Sequence, residues 1–199
     1  MEFSKSELNK VNRGAKKATY NKKEIYQILD TTEICNVAFI YRGRAFVQPI
    51  NYGRDGDSIY LHGALKNRMT NALIESGEAS LSVMLLDAIK LTRSAFHHSV
   101  NYRSVTVFGK VSELKSDIEK LKGLKSIINH FVPNRWEFCR APNKNELKAT
   151  RVIEIKIETA AAKIANGPIE DKESDLNLDF WAGEIPEKPH VFVPFLIIN

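Results

Sequence analysis

Residues 151–164 (RVIEIKIETAAAKI) alternate between apolar and charged side chains with a period of two over their first half. Isoleucine stands at the odd positions from 153 to 157, and Glu or Lys stands at the even positions from 154 to 158. Successive side chains of a strand point to opposite faces, so this pattern predicts a strand with one buried face and one wetted face. Such strands are typical of antiparallel sheets, whereas strands of parallel sheets are buried on both faces.

The other periodic segments predict further short strands and a few helices. Turn signals at Arg42–Gly43 and Asp55–Gly56 separate the first three strands. The predicted strands are 34–41, 44–52, 58–63, 79–87, 89–96, 104–111 and 151–164, and the predicted helices are 22–30, 65–76 and 116–131. The order β-β-β-α-β-β-β-α-β does not alternate strand with helix, which argues against a parallel α/β sheet. We therefore expect a mainly β fold with flanking helices and a closed or nearly closed antiparallel barrel.

Three stretches follow one another along the chain. We expect an N-terminal extension at 1–21, the barrel domain at 22–165, and a C-terminal extension at 166–199 that packs on the barrel or on a second subunit. The extension ends in the most apolar run, VFVPFLII (191–198). Pro194 interrupts this run and it is too short to span a bilayer, so we expect it to be buried or covered by a partner.

Composition excludes several classes of protein. Hydrophobic residues make up 43% of the chain and charged residues 27%, which is ordinary for a globular protein in water. A net charge of +5 does not by itself indicate a nucleic-acid partner. The two cysteines, Cys35 and Cys139, support neither a metal clamp nor a disulfide framework. With no apolar signal segment or spanning run in the sequence, we expect a cytoplasmic protein without a membrane partner.

The stretch YLHGALKNRM (60–69) reads as a strand that ends in a turn and opens a helix. Backbone N–H groups at a helix start are unpaired, and the helix dipole adds positive potential there. Lys66 and Arg68 lie in this turn, although the dipole disfavours cations at this end. The pattern is compatible with a phosphate site and equally with a surface helix that carries incidental charges.

The histidines do not predict a metal centre. His97 and His98 are neighbours and cannot both face one ion from a regular strand, and the acidic residues of that region lie in turns. No serine stands in a nucleophile-elbow context, and no glycine-rich dinucleotide fingerprint occurs. We expect no metal site, and neither hydrolase nor dinucleotide-fold chemistry finds support.

The polar stretch HHSVNYRSVTVFG (97–109) runs directly into a strand. Asn101, Tyr102, Arg103 and Ser104 offer hydrogen-bond donors, acceptors and a ring for stacking. A flat heteroaromatic ligand with an anionic tail uses all of these groups, and a flavin mononucleotide has that shape. The alternative is a polar edge that turns a corner of the barrel.

Four ordered blocks of the chain resemble a known family. They are GRDGDSIYLHGALKNRM (53–69), SAFHHSVNYRSVTVFGK (94–110), ELKATRVIEIKI (146–157) and the segment that begins GPIEDKESD and ends FWAG (167–183). They are similar to those of the FMN-binding split-barrel proteins related to pyridoxamine 5'-phosphate oxidase, nearest the branch of the Nim-type nitroimidazole reductases. The resemblance covers about residues 11–185. The substrate-phosphate signature of the pyridoxamine phosphate oxidases proper is absent, so we do not expect vitamin B6 oxidation.

The resemblance implies a six-stranded antiparallel split β-barrel that forms a homodimer with FMN at the subunit interface. Phosphate would be held by Lys66 and Arg68, and His62 would stand beside the flavin and position or protonate it. The flavin ring would lie along two strands and be approached by later segments; the implied cofactor-binding residues are Pro49, Ile50, Asn51, Tyr52, Leu61, His62, Gly63, Ser99, Asn101, Tyr102, Arg103, Ser104 and Trp181.

Three functions follow from this resemblance. The first is an FMN-dependent oxidoreductase, nitroreductase-like, that passes electrons from a reduced nicotinamide to a small acceptor such as a nitroaromatic compound. The second is a flavin-binding protein without turnover, serving as a store or a sensor. The third is haem binding on a split barrel, which the histidine-rich stretch keeps open. The cofactor supplies the redox chemistry in the first case, and the protein supplies placement and electrostatics.

Overall fold

A computed structural model describes residues 1–187, and the apolar run at 191–198 therefore lies outside the described residues. Within the described chain, secondary structure consists mainly of strands. The strands are β1 (Ala18–Thr19), β2 (Ile34–Tyr41), β3 (Arg44–Asn51), β4 (Gly53–Asp55), β5 (Ser58–Ala64), β6 (Glu78–Leu91), β7 (Ser99–Leu114), β8 (Thr150–Ala165) and β9 (Gly183–Pro186). The helices are α1 (Lys22–Leu29), α2 (Arg68–Ser76), α3 (Asp117–Phe131) and α4 (Lys144–Ala149), with short 3-10 turns at 15–17, 95–97, 135–138 and 173–175.

The strands form one sheet in the order β3-β2-β6-β7-β8-β5-β4, with β1 on β8 and β9 on β6. The expectation of a mainly β, antiparallel fold with flanking helices is confirmed, because β2–β3, β2–β6, β4–β5 and β5–β8 all pair antiparallel. Six strands have seven residues or more, and three have two to four.

The chain divides into two compact units. Unit 1 comprises Met1–Leu85 and Arg103–Ile164, and unit 2 comprises Leu86–Tyr102 and the chain from Ala165 onward. The long strands β6 and β7 each begin in one unit and end in the other, so the chain divides within strands and not at a linker.

The core of unit 1 follows from the period-two pattern of its strands. Every second residue of β2 is buried, and the same holds for the isoleucines of β8 that the sequence places inward. Helices α1 and α2 add their apolar faces to this core, through Ile25, Leu29, Met69 and Leu73 among others. A smaller apolar cluster of Tyr60, Leu114, Ile127 and Val152 lies where α3 covers β5 and β8.

Helix α3 lies close to β4, and Gly53 makes this approach possible. A Cβ atom at this position would stand 2.4 Å from the backbone nitrogen of Ile127 in α3. Because backbone atoms cannot move aside as a flexible side chain can, any side chain here would separate the helix from the strand. Glycine is therefore required at position 53 by close packing. Backbone conformation does not require it, because the φ of Gly53 is not in the left-handed region.

The structure corrects several sequence-based boundaries. The two strands predicted at 79–87 and 89–96 are one strand, β6, because residues 88–91 continue it by pairing with β9. The strand ends at Leu91, and Ser94 then caps a 3-10 turn. Helix α2 begins at Arg68, three residues late, because the Asn67 side chain caps it. Strand β7 starts five residues earlier than predicted, since the polar stretch at 99–103 is itself extended. Strands β1, β4 and β9 and helix α4 were not predicted.

Candidate functional site

The turn between β5 and α2 is built by short-range hydrogen bonds. The Asn67 side chain accepts from the Thr70 backbone nitrogen at 3.1 Å, and the Asn67 backbone nitrogen donates to the Ala64 carbonyl at 2.9 Å. The first turn of α2 contains no acidic residue. The positive end of the helix dipole is thus not neutralised from within the helix, as expected for a site that receives an anion.

Lys66 and Arg68 line one groove of about 380 Å³ at this turn. The other lining residues are Ile40, Tyr41, Arg42, Asn71, Ala72 and Glu75. Within the described residues neither Lys66 nor Arg68 makes an ion pair with a carboxylate. Both cations predicted to grip a phosphate are therefore adjacent and available for an anion.

Arg68 is held on aromatic rings of the β2–β3 hairpin. The centre of its guanidinium group lies 4.3 Å from the Phe46 ring centroid and 5.3 Å from that of Tyr41. Phe46 is itself stacked on Phe39, with ring centroids 5.4 Å apart. A cation over such rings is attracted by their negative faces, and its orientation is set before any ligand arrives. The sequence did not reveal this platform, because the contact joins positions 22 residues apart.

His62 lies elsewhere in unit 1. It pairs with Val152 across β5 and β8, on the same face of β5 as Tyr60, where α3 packs. Its Nδ1 atom is buried and has no hydrogen-bond partner among residues 1–187, and burial lowers the pKa of the imidazole below its ordinary 6.5. His62 is thus a neutral imidazole near pH 7. It does not line the groove that contains Lys66 and Arg68.

Only some of the residues implied to line a flavin ring have side chains on the outer side of their strand. Pro49 and Asn51 face the outer side of β3, opposite Asn36 and Ile34. Tyr52 is fully buried, and its hydroxyl donates to the Leu29 carbonyl. Other members of the set lie inward: Ile50 packs against the core, and Leu61 is fully buried. Gly63 approaches Asn67, whose side chain lies 3.1 to 3.2 Å from where a Cβ would stand.

Arg103 and Ser104 also belong to unit 1, on β7. Ser104 lines a small groove of about 170 Å³ together with Lys10 and Lys163. This groove and the one at Lys66 share no lining residue, so the structure does not bring Ser104 to Lys66 and Arg68.

Ser99, Asn101, Tyr102 and Trp181 belong to unit 2. Asn101 is buried, and its amide donates to the Gly167 carbonyl at 3.0 Å. The Trp181 ring folds back over Gly183 of β9. Ser99 is exposed and Tyr102 is half-buried. Asn101 therefore has a structural hydrogen bond that the sequence did not predict.

The turn between β6 and β7 in unit 2 contains the adjacent histidines. His98 lies with Nδ1 at 3.1 Å from the Ser94 carbonyl, and His97 meets the Phe96 ring edge-on. Donation from Nδ1 to that carbonyl leaves Nε2 with its lone pair, which is the tautomer of many histidine ligands of metals. No group of three or more His, Cys, Asp or Glu with metal-binding geometry occurs in residues 1–187.

Comparison with known proteins identifies relatives of this chain in sequence and in structure. The sequence profile of the pyridoxamine 5'-phosphate oxidase family matches residues 21–164. Among curated proteins no sequence matches significantly. None of the described helices combines the length and the apolar character needed to cross a membrane.

Solved structures with the same fold include two that cover nearly all of the chain. The flavocytochrome Anf3 from Azotobacter vinelandii has 32% sequence identity and a TM-score of 0.86, over 95% of this chain and 88% of that one. An FAD and haem binding protein from Mycobacterium smegmatis has 29% identity and a TM-score of 0.81, over 92% of each chain. A candidate 5-nitroimidazole antibiotic resistance protein from Bacteroides thetaiotaomicron, at 20% identity and a TM-score of 0.64, covers 74% of this chain and 86% of its own.

Proposed function

Since the chain belongs to the pyridoxamine 5'-phosphate oxidase family and has its split-barrel fold, we propose that it binds a flavin nucleotide and acts as an oxidoreductase. The observation that carries this proposal is the groove at the start of α2. Two cations that have no carboxylate partner in the described part of the chain line this groove at the start of a helix whose first turn contains no acidic residue. A phosphate group satisfies all of these features at once.

The residues present fit a flavin nucleotide by their chemistry. Lys66 binds phosphate as a mobile point charge, whereas Arg68 offers a fork of donors that the Phe46 ring holds in place. A flavin held here would supply the redox chemistry between a reduced donor and an acceptor. The protein's own contribution is to hold the phosphate, orient the ring and exclude water.

His62 is the residue that we propose for proton handling. Its imidazole is neutral near pH 7, because burial lowers its pKa, and Nδ1 has no partner within the described residues. A neutral imidazole with an unused nitrogen can accept a proton and return it. The proposal predicts that His62→Gln retains flavin but slows electron transfer. Full turnover in the flavin-loaded variant would exclude this role.

A homodimer is proposed from one face of the sheet in unit 1. Its residues belong to β2, β3 and β6, and the strand register places them on the side that points away from the core. None is charged, and the set comprises Ile34, Asn36, Ala38, Ile40, Ala45, Val47, Pro49, Asn51, Ser80, Ser82 and Met84. Val47, Ile40 and Met84 are each more than 60% exposed. Exposed uncharged sheet faces beside an edge strand such as β3 invite association, so a second copy is expected here.

The first experiment is the visible absorption spectrum of the purified protein, followed by release and chromatography of any bound flavin. The proposal expects a flavin spectrum and identifies FMN or FAD by retention time. A colourless protein that takes up neither nucleotide would refute it. Sedimentation of the same sample tests for the dimer, and cell fractionation tests the cytoplasmic location that the sequence suggests.

Turnover separates an enzyme from a flavin store. Steady-state oxidation of reduced nicotinamides is measured with the flavin-loaded protein and small acceptors, including a nitroaromatic compound. The oxidoreductase proposal expects acceptor-dependent oxidation. A protein that keeps its flavin but oxidises neither nicotinamide would be a store or a sensor.

Haem binding, in addition to flavin binding, is a second candidate function. It is favoured by the two relatives that cover most of the chain, since one is described as a flavocytochrome and the other as binding FAD and haem. In unit 2, the His98 ring presents Nε2 as a free donor to a metal because Nδ1 is oriented by Ser94. Titration with haem should then give a sharp Soret band that is lost in His98→Ala. A spectrum without such a band would exclude this candidate.

A further inference from the structure

Arg151 lies on β8, directly opposite Gly63 of β5 in the strand register. Its guanidinium group reaches the turn that carries Lys66. One nitrogen, Nη1, donates to the Leu65 carbonyl at 2.9 Å and also to the side-chain oxygen of Asn71. The turn and the first turns of α2 are thereby connected to β8 through a single side chain.

The charge of Arg151 is already neutralised. Its Nε donates to a carboxylate oxygen of Glu113 at 2.8 Å, and both side chains are mostly buried. Lys66 and Arg68 on the same turn lack such carboxylate partners within the described chain. This contrast separates the cations that can receive an anion from the one that is occupied with internal bonds.

Fixing the Leu65 carbonyl also fixes the next N–H group. In a planar trans peptide the carbonyl and the N–H point in opposite directions. With the Leu65 oxygen directed toward Arg151, the Lys66 N–H is directed away from it. No acceptor for this N–H occurs in residues 1–187. The turn therefore holds an unused backbone donor in a fixed direction, next to two unpaired cations.

We propose that Arg151 is a positioning residue for a phosphate-monoester site, where it orients the Lys66 N–H and the Lys66–Arg68 turn without touching the ligand. This inference rests on the proposed function, because the phosphate is that of the flavin nucleotide. It assigns the anion contacts to Lys66, Arg68 and the Lys66 amide. It assigns to Arg151 the preorganisation that makes those contacts selective for phosphate.

The test compares two ligands that share one ring system. FMN carries the phosphate and riboflavin does not, so the ratio of their dissociation constants reports the phosphate site alone. Flavin-stripped protein is titrated with each ligand, and binding is followed by quenching of flavin fluorescence. Replacing Arg151 by Leu should weaken FMN about tenfold, because the Lys66 N–H would no longer be held in the direction that binds phosphate, and leave riboflavin within about twofold.

Arg54→Leu is the matched control. Arg54 lies in the same unit, forms a two-point ion pair with Asp30, and has the same charge as Arg151. Its replacement removes one positive charge and one ion pair but leaves the turn intact. The FMN-to-riboflavin ratio should therefore stay at the wild-type value. If Arg54→Leu raised the ratio as much as Arg151→Leu, net charge would explain the effect and the inference would be overturned.

Further outcomes are equally decisive. Equal weakening of FMN and riboflavin in Arg151→Leu, or no weakening at all, overturns the inference while the proposed function stands. Should Arg151→Leu fail to fold, Arg151→Lys keeps the charge beside Glu113 but cannot hold Leu65 and Asn71 together. It should show the same loss specific to FMN, and an unchanged ratio would overturn the inference. If Lys66→Gln and Arg68→Gln also leave the ratio unchanged, the proposed phosphate site itself is wrong.

Discussion

Replacing Arg68 by Gln should weaken FMN more than replacing Lys66 by Gln, although both changes remove one positive charge. The reason lies in the different freedom of the two side chains. Arg68 stands over Phe46 at 4.3 Å and Tyr41 at 5.3 Å, whereas no ring of residues 1–187 lies beneath Lys66. An unheld lysine gives up about 2 kcal/mol of rotamer freedom when it is immobilised on a ligand.

The structure allows a rough magnitude for each change. A hydrogen bond to a charged group contributes about 1.5 to 3 kcal/mol net, and Arg68 keeps most of this because its orientation is already set. We therefore expect Arg68→Gln to raise the dissociation constant of FMN about 10- to 100-fold, at 1.4 kcal/mol per factor of ten. For Lys66→Gln we expect about 3- to 10-fold, since ordering the side chain offsets part of its contact.

Flavin fluorescence quenching at two ionic strengths is the assay. Riboflavin should bind both variants and the wild type alike, because it has no phosphate. Higher salt should weaken FMN binding to the wild type more than to either variant. Equal losses for the two variants would refute the role of the aromatic platform, and equal losses for FMN and riboflavin would refute the phosphate assignment.

Three further predictions concern stability and assembly. Val47→Glu should convert the proposed dimer into monomers in sedimentation while the circular dichroism spectrum is retained; a persistent dimer would place the interface elsewhere. Gly53→Ala should lower the free energy of unfolding by about 3 kcal/mol, because α3 backbone lies 2.4 Å from the added carbon, whereas Gly167→Ala, with nothing within 4 Å, should stay within about 0.5 kcal/mol. Burial lowers the pKa of His62 in the folded state, so its stabilising contribution is complete above pH 6.5 and is lost as the pH falls through the folded-state pKa. Thermal unfolding at pH 7.5 and 5.5 should therefore show a smaller acid-induced loss in His62→Gln than in the wild type or in a His98→Gln control.

Local sequence patterns predicted most of the fold. The bounds of β2 agree with the prediction because alternating burial and a two-residue turn both mark them; Arg42 and Gly43 have φ values of 51° and 72°, as a tight hairpin requires. The β6 error lies at Ala88, which falls between the two strands predicted from the sequence and which pairs with Pro186 of β9 in the structure. Local propensity cannot indicate that a strand distant in sequence will form hydrogen bonds with the backbone at this position.

The candidate site was predictable only in part for the same reason. Lys66 and Arg68 follow from the strand–turn–helix pattern, which is local. The Phe46 ring beneath Arg68 and the Arg151 contact to Leu65 join positions 22 and 86 residues apart along the chain. These contacts depend on tertiary packing, and only the structure reveals them.

The β2–β3 hairpin combines two roles on its opposite faces. Its inner face carries Phe46, on which Arg68 rests, and its outer face carries Val47 and the rest of the uncharged surface. A ligand that orders one face of these paired strands also orders the backbone that carries the other face. If flavin binding and self-association both use this hairpin, as proposed, they are thermodynamically linked, and each changes the affinity of the other by the same factor. In a dilution series, the apparent affinity for FMN should fall as the subunits separate, so cofactor occupancy would follow the abundance of the protein.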